Sequence, residues 1–202
     1  MSKHATAKTA SDALALYRDA MEHDALIQSS WRERADDGRM LACALGVLGP
    51  TINDAAKCPG AIMPQWLAKM TVWFFDKQDF DAAKAWGLKF YAELARIGGV
   101  VPFSVIHDWH ANVVGPLAIE MATRRGANVA AHEALVAMHR KALGGEKFSA
   151  DQWRPILKGA FKDAYAYAYA SASARVHAYH SAVTRFADGM VACLRRLPSV
   201  EA

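Results

Sequence analysis

Six of the chain's histidines fall in pairs: His107 with His110, His132 with His139, and His177 with His180. The other two, His4 and His23, stand alone. Spacings of three and seven place both members of a pair on roughly one face of a helix, and each pair falls in a different predicted helix. Neutral imidazoles from facing helices can hold a transition metal or a haem. The set singled out for a metal is His107, His110, His177 and His180. The plain alternative is that these are boundary histidines bonded to a neighbour or to water. The two readings separate on one spatial question: whether the pairs converge within coordinating reach or scatter. Convergence would put the metal reading first.

More specific metal chemistry lacks its residues. No Glu is followed three positions later by His, as a di-iron carboxylate bundle requires. His132-Glu133 has no second His where a metalloprotease helix needs it. Cys43, Cys58 and Cys193 show no CxxC spacing, so zinc through thiolates is not indicated. No GxGxxG, phosphate-loop lysine or GxSxG turn is present, and nucleotide and acyl-transfer chemistry have no motif to stand on. Cys43 and Cys193 sit on predicted apolar helical faces and read as inert core. Cys58, before Pro59 in a predicted loop, is the one thiol to test for reactivity.

Surface chemistry offers a different function. Tyr167 faces away from Tyr165 and Tyr169 on the last helix, with Arg185 farther along the same side, a combination found at interface hot spots. Arg140, Lys141, Lys147, Arg154, Lys158 and Lys162 cluster around the Gly144 turn. Lys147 and Lys158 could contact phosphate, and the chain's whole basic excess, a net charge of +4, lies in its second half. An excess of this size is also ordinary for a solvated surface. With catalytic motifs missing, the preferred reading is a non-enzymatic helical protein that binds a protein partner, of the bacterial immunity, antitoxin-like or accessory kind. The alternatives are a His-based metal- or haem-binding bundle and a nucleic-acid-binding protein. Self-association remains open, and the bacterial assignment rests on Ala-rich composition alone.

The elements that must position these residues are helical. At 202 residues and 53% apolar content the chain can bury one sizeable core. We expect a compact all-α bundle of about six to seven helices in a single domain, 1–202, with a flexible leader at 1–10 and a candidate joint near 144–149. From Leu157 to Leu197, Phe161, Tyr165, Tyr169, Val176, Tyr179, Val183, Phe186, Met190, Leu194 and Leu197 share one helical face. Alanine fills alternate positions from Ala164 to Ala174. This predicts one very long helix, or two nearly collinear ones.

Upstream, Thr9 or Ser11 caps a first helix. A second is expected from Trp31 to Gly49-Pro50, or only from about Gly38 if Asp36-Asp37-Gly38 forms a turn. Pro64 opens a helix bearing Trp66, Leu67, Met70, Trp73 and Phe74, expected to be deeply buried. Its aromatics could instead line a pocket or groove, with core packing the simpler account. Asp79 caps the next helix, which ends at Gly98-Gly99. Pro116 should kink or split the helix that starts near Ser104, Asn128 caps another, and Ser149 with Gln152 forms a capping box. No segment competes as a strand. No stretch is both long and apolar enough to span a bilayer, no secretory signal is visible, and three sparse cysteines suit a reducing compartment, so the cytoplasm is expected.

Overall fold

A computed structural model describes residues 6–168 and 174–200, with the side chains of 161–178 left out of the description. The architecture is all-α with one small hairpin. Its elements are α1 (Ala10–Glu22), β1 (Arg32–Arg34), β2 (Met40–Ala42), α2 (Gln65–Asp76), α3 (Phe80–Arg96), α4 (Ser104–Trp109), α5 (Gly115–Thr123), α6 (Ala130–Leu143), α7 (Ala150–Ala168) and α8 (Ala174–Arg195). They fall into two compact units, the first made of 1–101 and 180–202 and the second of 102–179. The 144–149 segment lies within the second.

In the first unit α1 packs on α3. Thr9 and Asp12 exchange bonds in a capping box, and the chain before it is already docked: Ala7 is buried and donates to the Leu48 carbonyl. Tyr17, Phe74, Trp86, Phe90 and Tyr91 form the aromatic centre, with Trp86 stacked on Phe90 at 4.9 Å. The buried hydroxyl of Tyr91 donates to the Ala44 carbonyl at 2.7 Å, and the Trp86 indole N–H to the Ala187 carbonyl at 2.9 Å. Val183, Met190 and Leu194 of α8 are buried as the helical stripe requires, whereas Tyr179 is exposed. The tyrosine ladder at its centre lies outside the described side chains, and the continuity of the rod falls on 169–173, outside the described residues.

Two expectations fail here for local reasons. The segment after Trp31 is a hairpin, not a helix: Arg32, Glu33 and Arg34 pair antiparallel with Ala42, Leu41 and Met40. Asp36-Asp37-Gly38 supplies its turn, with Gly38 at φ +85°, and the Asp37 carboxylate accepts from the Arg39 backbone N–H. The helix-favouring run Met40–Leu48 is overridden because β2 docks against Ala25–Ile27, and only a short 3₁₀ turn forms at Gly46–Leu48. Cys43 is therefore buried off a helix. In α2 the buried face is Leu67, Ala68, Thr71, Phe74 and Phe75, so the stripe is rotated from the expected one and Trp73 is left exposed.

α3 ends where two glycines take positive φ, +63° and +75°, as its sequence predicts. Asp79 stands at its start without capping it. Glu93 on α3 is the first unit's main ionic anchor: it accepts from Arg96 at 2.7 Å and from Arg195 of α8 at 2.9 Å. Arg96 also donates to the carbonyls of Leu194 and Leu197, holding the end of the chain against α3.

Candidate functional site

The second unit brings three imidazoles together, and a defect in a helix aims one of them. α4 runs into α5 through a π turn, His110–Val114. Pro116 has no N–H to give the Asn112 carbonyl, and its ring crowds that same carbonyl, so the α ladder cannot continue. The chain responds with a wider loop in which the Gly115 N–H bonds the His110 carbonyl. Pro116 was expected to kink or split the helix; what forms is a π turn between α4 and α5. Gly115 is required there because a Cβ would collide with Val136 of α6. The absence of a Cβ there lets α6 press against the π turn and presents His139 to His107 of α4 and His110 of the turn.

His107 Nδ1 and His139 Nδ1 lie 3.0 Å apart, one donating to the other. Their rings are 5.2 Å apart and inclined at 48°. His110 stacks flat on His139, 4.4 Å away with planes 5° apart. Trp153, in the first turn of α7, lies parallel to His107 at 5.8 Å and tilted against His139 at 4.8 Å. Phe103, Trp109 and Phe148 close the surround edge-on, Phe103 against His107, Trp109 against His110 and Phe148 against Trp153. His139 is only 6% exposed, and its Nε2 is buried with no hydrogen-bond partner.

Burial sets the charge of this cluster. It pulls His107 below its ordinary value, while burial and then His107 push His110 down to about 4. Burial, with the neighbouring His110 and His107, pushes His139 down to about 3. The imidazoles are consequently neutral near pH 7, each with one lone pair. For both Nδ1 atoms to face a ligand, the ring that donates in this pair takes its other tautomer, with the proton on Nε2.

Coordination is limited by the ring planes. An imidazole nitrogen binds an ion in the plane of its own ring, and the nearly parallel planes of His110 and His139 share no line on which one ion could sit. The inclined planes of His107 and His139 do intersect. With bonds of about 2.0–2.1 Å, two nitrogens set at a right angle about one ion are about 3 Å apart, as these are. Among the described residues no group of three or more His, Cys, Asp or Glu side chains is arranged to hold one ion. The geometry offers a two-imidazole chelate with His110 as its stacked support.

The predicted site residues thus divide. His107 and His110 meet His139, a member of another predicted pair. His180 belongs to the first unit, where its Nδ1 pairs with Asp79 at 2.8 Å. The side chains of His177 and Tyr167 lie outside those described. His132 is buried on α6, two helical turns from His139. Arg185 is exposed on α8 in the first unit, and Lys147 and Lys158 are exposed in the second. Cys58, singled out for reactivity, is buried, and burial pushes its thiol up to about 11, which leaves it protonated.

Trp153 belongs to the site although no motif marks it, and one signal in the sequence points to it. Only a short loop separates the last turn of α6 from the first turn of α7, so His139 and Trp153 had to face one another across an antiparallel pair. Among the described residues no helix is long and apolar enough to cross a membrane. No family model, no curated protein and no solved structure matches the chain.

Proposed function

We propose that this protein binds a transition-metal ion through His107 and His139. The observation that carries the reading is the 3.0 Å approach of two neutral Nδ1 atoms on inclined rings. Its support is the buried His139 Nε2: a desolvated, unpartnered nitrogen costs stability, and such a cost is retained where the imidazole serves a ligand. A metal ion is favoured over haem because axial imidazoles must lie on opposite faces of a porphyrin, whereas these nitrogens already touch. None of the three cysteines forms a disulfide, which suits a reducing compartment such as the cytoplasm.

The test is titration of the purified chain with copper, nickel and zinc, followed by calorimetry and elemental analysis. One ion per chain is expected, lost in His107→Asn and His139→Asn and kept in His177→Asn with His180→Asn. Binding that survives the first pair, or that is absent from the unmodified chain, overturns the reading.

A further inference from the structure

The class of ion follows from ligand count and charge, an inference that rests on the metal-binding reading. A divalent transition ion fills four or more positions and brings two charges into its site. Here two neutral imidazoles point at one another, and His110 is turned flat against His139. Among the described residues no carboxylate or thiol joins them in a three-ligand group. Along the chain, Glu133 and Glu146, the acidic residues nearest His139, are exposed, while Asp108 beside His107 accepts from Asn112 at 2.7 Å and Asp151 accepts from Arg154 at 2.8 Å. A second buried charge would go uncompensated, and four-coordination would require water beside a histidine that is 6% exposed.

We propose that the His107–His139 pair takes a monovalent, low-coordinate ion of the copper(I) class in preference to divalent ions, with Trp153 as the specificity-determining residue. A monovalent d¹⁰ ion is satisfied by two or three donors and needs no water. With two donors such an ion is linear, and bonds of about 2.0 Å place its two nitrogens about 4 Å apart. That is an opening of about 1 Å from the 3.0 Å of the hydrogen-bonded pair, which a rotation of the half-buried His107 supplies. Trp153 touches both ligand rings, at 4.8 and 5.8 Å, so its indole face borders the place where the ion sits. An aromatic face attracts a cation within about 6 Å of its centroid, and most strongly when both are shielded from water.

Silver(I), a redox-inert monovalent probe, is titrated into the full chain in excess over its three thiols, and ¹H–¹⁵N resonances of the His107 and His139 imidazoles and the Trp153 indole are followed. All three are expected to move, and silver should hold the imidazole pair against a roughly hundredfold excess of zinc(II). Trp153→Phe should weaken silver binding about tenfold and leave zinc unchanged. If zinc or nickel displaces silver at equal concentration, the preference for monovalent ions is overturned while the metal site stands. If silver moves only thiol resonances and zinc moves nothing, site and preference fall together. An unmoved Trp153 indole in the unmodified chain, or a Trp153→Phe affinity equal to the original, removes Trp153 from the role.

Discussion

A buried nitrogen without a partner is costly wherever it occurs, and His139 Nε2 carries that cost in the centre of the imidazole cluster. Replacing His139 with Leu keeps a buried side chain of similar bulk and removes the orphan. His107, half-exposed, can turn its freed Nδ1 to water. The expected outcome in metal-free urea unfolding is a gain of about 1 kcal/mol, because leaving such a group unsatisfied costs about 1–3 kcal/mol. Metal binding is lost in the same variant. A loss of stability in His139→Leu would make the imidazole a structural group and remove the argument from cost. Glu93 illustrates the opposite economy. Burial pushes its carboxyl up, but bonds from Arg96 and Arg195 more than offset this and hold it below its ordinary 4.5. A depressed carboxylate contributes stability that is complete above the unfolded value and is lost as pH falls through the folded one. Glu93→Gln should therefore cost about 1–3 kcal/mol at pH 7, and the gap from the unmodified chain should close below about pH 4. A gap independent of pH would show that charge is not what Glu93 contributes.

Between residues and function stand the elements, and the joint that matters most is the π turn against α6. Adding a methyl group at Gly115 forces a Cβ into the Val136 side chain, and the His110 carbonyl stands only 2.9 Å away. Gly115→Ala is expected to cost about 1–3 kcal/mol by overpacking and to weaken the metal site by parting His107 from His139. Val136→Ala in the same chain should recover part of both losses, as thermal unfolding and metal titration would show; no recovery would mean that α6 does not set the imidazole spacing. Local signals made most helices legible: the Thr9 capping box, Gly98-Gly99, Asn128 and the Ser149–Gln152 box each lie where a helix starts or stops. The hairpin was hidden because Met40–Leu48 carries helix-favouring residues, and β2 is held by pairing to Ala25–Ile27, a contact no local window contains. Half of the site was legible for the same reason. The i, i+3 pair His107–His110 is a local pattern, but the choice of His139 over His132 depends on which part of α6 Gly115 admits to the π turn.

At the scale of the whole chain, the path leaves the first unit after Val101 and returns to it at His180, so the imidazole cluster and the Glu93 anchor belong to different cores. A ligand that binds only the folded form stabilises what it touches by RT ln(1 + [L]/Kd), about 2.7 kcal/mol at one hundred times Kd. Local opening need not be uniform across a chain with two cores, and amide exchange reads each opening separately. With silver(I) bound at the imidazole pair, amides of α4, the π turn and α6 should exchange roughly a hundredfold more slowly, since they open only when His107 and His139 part. Amides of α3 near Glu93 should keep their rates, while Glu93→Gln should accelerate those and leave the α6 amides unchanged. Equal slowing of both sets by the metal would show that the two cores open as one, and the stabilisation would then report global unfolding rather than the site. Slowing confined to α3 would place the ion in the first unit and remove His107 and His139 from its binding altogether.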